Sequence, residues 1–401
     1  MMRNQYDLII VGGGIGGCSL ALTIAGEGVR VLVLETENRF RDRVRGEWLA
    51  PWGVSEAKRL GIYDTLLAAG AHELRYIVGG AGELRDLTET TTCHEPSLAF
   101  YHPAIQEAMV REAVAAGIDV QRGVKAQICP EHGSPQVRVS TGDNVNIYTA
   151  KMIVGADGRN ALSRQAAGFA VQREPDHLEV AGVLFANLSA PEEMMQTWRA
   201  SWEDADTGVF ALLFPQGGKR VRAYISSPIA SQFGLSGKSA ISTFIELFQK
   251  AGAPAAYFAG AKPIGPLACY RGTHAWVAHP YKHGVALIGD AAATTDPTHG
   301  QGISLTLRDV RVLRDQLVSH NNWDEAGHAY ATEHDHYHDI VHTYESWVKR
   351  LWYTIGPEAT ARRQKVLAAW EDDPSRTLDI VMSGPNEPLS EETRQRFFAE
   401  I

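Results

Sequence analysis

The stretch that most restricts how this chain can fold lies at its start. Asp7-Leu8-Ile9-Ile10-Val11 runs straight into Gly12-Gly13-Gly14-Ile15-Gly16-Gly17, with glycine at the first, third and sixth places of the turn. A run of small and apolar residues from Cys18 to Ala25 follows, and a second apolar run, Val29 to Leu34, closes on Glu35. Strand, glycine turn, helix and acid-terminated strand make a dinucleotide-binding unit. Gly12 permits the tight turn, Gly14 lets the backbone approach a pyrophosphate, and Gly17 lets helix and strand pack closely. The helix N-terminus faces the phosphates, and Glu35 sits where it can accept from ribose hydroxyls. The glycine pattern alone is a weak signal. The strand before it and the acid about 20 residues further on make it a strong one.

At 401 residues the chain is long enough for two or three domains. A net charge of -9 and the lack of a basic stripe argue against a nucleic-acid surface. Cys18, Cys93, Cys129 and Cys269 are scattered without metal-ligand or paired spacing, which predicts a reducing, cytoplasmic setting. The apolar start is broken by the glycine turn and lacks a basic flank, so it reads as a nucleotide-binding unit and not a signal peptide. No run approaches about 18 apolar residues, so no membrane span is expected.

Two further buried strands end on glycine and an acid. Lys151-Met152-Ile153-Val154 opens into Gly155-Ala156-Asp157-Gly158-Arg159. Val285-Ala286-Leu287-Ile288 opens into Gly289-Asp290-Ala291-Ala292-Ala293, then Asp296-Pro297-Thr298-His299-Gly300-Gln301-Gly302 and a helix from Ile303 to about Val318. Helices are also expected over 57–69, 103–116 and 239–251, a hairpin over 137–149, strands within 73–93 and 177–225, and helical pieces beyond Trp323 broken at Pro357, Pro374 and Pro385. Four arginines within Arg39 to Arg45 form a loop leaving the nucleotide fold near its phosphate end. The nucleotide-fold strands fall in three separated blocks with sheet-like sequence between them. The expected fold class is therefore α/β: a discontinuous Rossmann-type domain (1–75, 97–172 and 272–330), an antiparallel-sheet substrate domain (76–96 and 173–271), and a helical C-terminal region (331–401).

Over roughly residues 6–320 this set of motifs resembles the flavoprotein monooxygenases of the para-hydroxybenzoate hydroxylase fold, with some similarity to the squalene-epoxidase branch. The resemblance implies FAD as resident cofactor and NAD(P)H as reductant, with O₂ and a small organic molecule as substrates. It implies a cofactor site built from Val11, Gly12, Gly14, Ile15, Gly16, Gly17, Glu35, Thr36, Arg43, Arg45, Gln106, Val124, Asp157, Gly158, Gly289, Asp290, Pro297, Gly300, Gln301, Gly302 and Ile303. Arg45, Pro297 and His299 are the residues expected nearest the chemistry. The expected reaction inserts one oxygen atom through a flavin hydroperoxide. A reductase of a prenyl-like chain and a flavin halogenase are the alternatives, and the tryptophan motif expected of a halogenase is absent. The sequence departs from the family at Ala293, where many members have histidine, and at Ser304, where many have asparagine.

Other groups invite functional readings. His334, His338 and His342 share one helix face. They are read as structural, solvent-facing or substrate-lining, because metal has no part in the inferred chemistry. Trp198, Trp202, Phe210 and Tyr224 read as core or pocket wall, with core the default.

Overall fold

The computed structural model describes residues 5–79, 83–129, 135–142, 144–199, 209–229, 234–235, 237–272, 274–354 and 356–401; Trp202 lies outside them. Its first sheet has the strand order Tyr281–Lys282, Val285–Leu287, Met152–Gly155, Leu8–Val11, Val31–Glu35, Asp119–Arg122. All but the first of these run parallel. The four strands Leu8–Val11, Val31–Glu35, Met152–Gly155 and Val285–Leu287 are buried along their whole length. That is what a parallel sheet covered on both faces requires, and why they read as unbroken apolar runs. Leu8 pairs with both Val31 and Met152, so the chain's first strand sits at the centre and the connections diverge from it. A crevice opens beyond the carboxyl ends of strands at such a divergence. Helices Ile15–Ala25, His102–Ala115 and Gly302–Ser319 pack on this sheet's flanks and on one another.

The second large sheet is mostly antiparallel. Leu178–Ala186 pairs with Arg220–Pro228, which pairs with Phe210–Pro215 and so on to Met194–Arg199, then to Tyr76–Val78 and Leu84–Asp86. Strand alternation sorts its side chains. Val183, Phe185, Leu213, Ala223 and Ile225 pack with Phe244 and Phe248 of helix Ala240–Lys250 on the outer face. Val180, Leu212, Phe214 and Tyr224 belong to the main core on the face turned toward the parallel sheet's half of the molecule.

The structure corrects some element boundaries. The single helix expected over 57–69 is two, Pro51–Arg59 and Tyr63–Ala68, because Gly61 takes φ +68° between them. Part of the alternating stretch 73–93 is the short helix Leu87–Thr90, capped by Asp86 accepting from the Thr88 N–H. Beyond Trp323 one helix runs to Trp352, and Pro357 and Pro374 each stand at the start of a new helical turn. Among the described residues no helix is long and apolar enough to cross a membrane.

Candidate cofactor and substrate site

The turn Gly12–Gly17 meets the middle motif directly. Ala156 N–H donates to the Val11 carbonyl at 2.7 Å, and a side chain at Gly12, φ +113°, would strike the Ala156 carbonyl. A Cβ at Gly17 would run into the Gly12 carbonyl, and one at Gly16 would meet Thr306. Gly14 differs: φ is −71°, and a Cβ there would meet only Gln106 Nε2, 3.6 Å away. The backbone therefore needs glycine at 12 and 17 for its own packing. At 14 there is open space beside the helix start, with Gln106 as its wall. Helix Ile15–Ala25 has no side-chain cap and no acid in its first turn. Its first N–H groups lack the usual side-chain acceptor, as an anion site requires. Helix Gly302–Ser319 likewise has neither cap nor first-turn acid. Ile303 lies in that first turn and packs partly buried on the main core. Two bare helix ends and an open cradle at Gly14 fit a dinucleotide with an anionic ring system.

Glu35 is buried, and its two oxygens accept from Gly13 N–H and Glu37 N–H at 2.7 Å each. The carboxylate thus stiffens the turn and retains lone pairs for further donors. Thr36 Oγ1 donates to the Val124 carbonyl, and Val124 N–H to the Glu35 carbonyl, tying the strand end to the next block. Asp157 accepts from the Ser163 N–H and hydroxyl in the first turn of the following helix. Gly158, φ +76°, has open space where a Cβ would be.

Asp290 sits at the centre of a charged cluster. Arg159 Nε donates to it at 3.2 Å, the Arg159 guanidinium lies 5.9 Å over the Tyr270 ring, and a Cβ on Gly302 would be 3.8 Å from Asp290 Oδ1. Arg45 faces the same group; burial, then the Arg159 charge, push its guanidinium below its usual value. His102 Nδ1 meets the Gly46 carbonyl, and burial pushes that imidazole down as well. Arg43 stands apart: it is exposed and paired with Glu37 at 3.0 Å. Gly289 N–H donates to buried Asp309 at 2.6 Å, which shapes the turn carrying Asp290.

The loop 296–301 faces both halves. Pro297 Cδ lies 3.2 Å from where a Cβ on Gly272 would be, against the large sheet, and Gly300, φ +64°, packs on the Trp48 indole. Trp48 in turn meets Phe214, and Phe214 meets Tyr224, with ring centroids 6.0 Å apart in both pairs. The Gln301 amide accepts from Trp52 Nε1 at 3.0 Å and donates to the His299 and Val381 carbonyls, so its side chain fastens the loop. His299 Nε2 is buried without a hydrogen-bond partner, and burial lowers that imidazole.

Several residues here escaped the sequence reading. Glu47 is buried between Arg222 Nε at 2.5 Å and Tyr224 Oη at 2.6 Å. Burial pushes its carboxyl up to about 7, while Arg222 stays charged. Tyr270 and Trp48 lie around the same region, Tyr270 against Arg159 of the middle motif and Trp48 against Gly300. Their only signal was position: next to the arginine loop, or on alternate positions of a strand. The three histidines of the long helix are not solvent-facing as a group, since His334 and His338 are buried. Among the described residues no cluster able to hold a metal ion occurs.

A parallel sheet with glycine-and-acid turns at three strand ends, joined to a large sheet whose inner face carries aromatic rings, defines the flavoprotein hydroxylase class. The FAD binding domain family matches residues 5–347, and the chain belongs to it. It is an FAD-dependent monooxygenase. It is 26% identical over 353 residues to 3-demethoxyubiquinol 3-hydroxylase of Escherichia coli, covering 82% of this chain and 84% of that one. It is 26% identical over 384 residues to rifampicin monooxygenase of Streptomyces venezuelae, 92% and 76%. A digeranylgeranylglycerophospholipid reductase of Methanococcoides burtonii is 25% identical over 76% of this chain and 72% of its own. In fold the chain is similar to p-nitrophenol 4-monooxygenase PnpA of Pseudomonas putida, with TM-score 0.76, 17% identity, and 99% and 98% of the two chains covered. The flavin-dependent brominase Bmp2 gives TM-score 0.76 at 15% identity, covering 99% and 98%.

Proposed function

We propose that the chain uses NAD(P)H and O₂ to insert one oxygen atom into an apolar or aromatic small molecule, by hydroxylation or epoxidation. The observation that carries this reading is convergence. The turns at Gly12–Gly17, Asp157–Arg159 and Gly289–Asp290 lie at one edge of the parallel sheet, and the loop from Pro297 to Gly300 reaches from there to Trp48 and the large sheet. In this reading residues 1–75, 97–172 and 272–330 hold the cofactor, 76–96 and 173–271 hold the substrate, and 331–401 braces both.

When bound, FAD supplies the reduction of O₂ and the transfer of one oxygen atom. Gly12 to Gly17 and the bare start of helix Ile15–Ala25 take the pyrophosphate. Glu35, Thr36 and Val124 form the ribose end, and Gln106 lines the open space beside Gly14. Asp157 and Gly158 close the turn over the cofactor. Asp290 accepts from its hydroxyls, and the helix start at Gly302-Ile303 places partial positive charge beside the ring. Arg45, with Arg43 at the rim, takes a phosphate of NAD(P)H. Pro297, His299 and Gly300 hold the wall between ring and substrate, and Val180, Leu212, Phe214 and Tyr224 exclude water around an apolar substrate.

The test screens phenols, polyketides and polyenes with NADH and NADPH under ¹⁸O₂, reading product mass. One labelled oxygen per product is the expected result. A turned-over substrate whose product carries no label overturns the reading, and turnover without O₂ replaces it with a reductase.

A further inference from the structure

The loop 296–300 is anchored from three elements, and one anchor is the place where the chain enters the large sheet. Ala293–Thr294 pairs with Ala275–Trp276, which pairs with Gln172–Arg173, so the strand leading into the loop stands beside the two ends of the large-sheet span. His177 follows on from Arg173, and its carbonyl accepts from the Ile229 N–H at 3.1 Å. Its Nε2 lies 2.9 Å from Asp296 Oδ2. Because an ionised carboxylate only accepts, Nε2 carries the hydrogen. Asp296 Oδ1 accepts from the Thr298 N–H at 2.9 Å and the Thr298 hydroxyl at 2.6 Å, and the Asp296 N–H donates to Glu345 Oε2 of the long helix at 3.1 Å.

A second contact lies alongside. Leu178, next to His177, pairs with Gly272, and a Cβ on Gly272 would stand 3.2 Å from Pro297 Cδ and 3.3 Å from its Cγ. The sheet edge therefore holds Asp296 by a hydrogen bond and Pro297 by close packing. At the other end of the loop Gly300 packs on the Trp48 indole. Asp296 is buried and the His177 side chain is 18% exposed, so their bond is largely shielded from water. Burial raises the Asp296 carboxyl, but the His177 bond and the nearby His299 and His177 hold it well below the usual carboxylate range. A charged acceptor of this kind makes the stronger class of hydrogen bond.

We propose that His177 and Asp296 are positioning residues for oxygen transfer: their bond clasps the loop 296–300 to the edge of the large sheet, so that loop and sheet close on the ring together and keep water out. That purpose rests on the proposed function, in which this loop is the wall between ring and substrate; the clasp itself rests on the contacts above. In reduced enzyme without substrate, two electrons and two protons pass from the flavin to O₂ and leave as H₂O₂. A loop that parts from the sheet admits water to the ring and hastens that loss.

The experiment uses the FAD-loaded enzyme without substrate. The Thr298, His299 and Gly300 N–H groups all bond within the loop, so amide hydrogen exchange over 296–301 reports its order. It should be at least tenfold faster in His177→Leu, with exchange over Leu8–Val11 as in wild type. His177→Gln places an amide donor near the same point and should restore most of the protection. Gly272→Val reaches the loop from the sheet without touching His177; it should speed the same exchange at least threefold, and it serves if the leucine variant does not fold. After anaerobic reduction by dithionite and mixing with O₂, oxidised-flavin absorbance and H₂O₂ should appear at least threefold faster in His177→Leu, and at close to the wild-type rate in His177→Gln. Unchanged exchange in both His177→Leu and Gly272→Val overturns the clasp. So does acceleration that spreads equally to Leu8–Val11, which marks a general loosening. Faster loop exchange with an unchanged rate of reoxidation overturns the role given to it. No step of this test uses a substrate, so its failure is distinguishable from failure of the labelled-oxygen test.

Discussion

Alanine at position 14 separates folding from cofactor binding, because the three glycines of the first turn do different work. At Gly17 a Cβ would overlap the Gly12 carbonyl, so Gly17→Ala must push helix Ile15–Ala25 off the sheet. Overpacking of that kind costs about 1–3 kcal/mol. At Gly14 the backbone is already in a region open to any residue, and the nearest atom to a Cβ is the flexible amide of Gln106 at 3.6 Å. Replacing an N-cap glycine with alanine there costs about 0.5–1 kcal/mol. That is a shift of about 2 °C or less in apoprotein melting for a chain of this size. The same methyl group fills the space a pyrophosphate needs to reach the helix N–H groups. Losing one or two bonds to a charged phosphate, at about 1.5–3 kcal/mol each, weakens FAD about ten- to hundredfold or more, and Gly14→Val further. The assay is twofold: thermal melts of deflavinated protein, and FAD titration followed by flavin fluorescence quenching. Gly14→Ala should melt like wild type and bind FAD poorly, whereas Gly17→Ala should fail in both. Wild-type FAD affinity in Gly14→Val would refute the placement of the pyrophosphate. So would an apoprotein of Gly14→Ala as destabilised as that of Gly17→Ala.

Arg45→Lys should keep FAD bound but slow flavin reduction or raise the apparent KM for NAD(P)H, because lysine lacks the fork that grips a phosphate in two places; identical stopped-flow reduction rates across the NADPH range would count against it. Stability should fall on acidification through His274. Its imidazole is held at about 4 in the fold against 6.5 when free, so between those values the unfolded chain binds the extra proton. Its contribution is intact above pH 6.5 and lost as pH drops toward 4, up to about 3 kcal/mol. Glu345 works in the opposite sense, losing stability as pH rises above the ordinary carboxyl range, so the His274 share is read as wild type minus His274→Asn in urea melts at pH 4.5 and 7. Equal pH dependence in the two proteins would remove His274 from the acid response.

Much of the fold was legible because its central strands leave no ambiguity. Leu8–Val11, Met152–Gly155 and Val285–Leu287 are apolar on both faces, short, and closed by glycine, a pattern that only a covered parallel sheet explains. The helix break at Gly61 was not legible: Ala57 to Ala69 keeps helical periodicity across it, and a single glycine inside such a pattern is often tolerated. At the candidate site, the residues adjoining the glycine turns were read from the turns themselves. Glu47 and Arg222 were not, because a buried ion pair between a loop and a strand about 175 residues away has no local signature, and Tyr224 was read only as core or pocket wall. The partners of the Gln301 amide had no local signature either: it answers to Trp52 and to Val381 near the chain's end, and only tertiary packing decides which way it turns.

The pairing of Gln172 with Trp276 and Arg173 with Ala275 has a consequence beyond the site. At these positions the chain departs toward the large sheet and comes back, and antiparallel partners stand only about 5 Å apart. This pairing brings the start and the end of that span together beside the strand Ala293–Thr294. A change of loop length within that span leaves these paired stubs facing each other, beside parallel strands whose register is set by their own pairing. The fold thus uncouples two kinds of change. On the proposed function, the wall facing the substrate then varies separately from the strands that hold the cofactor.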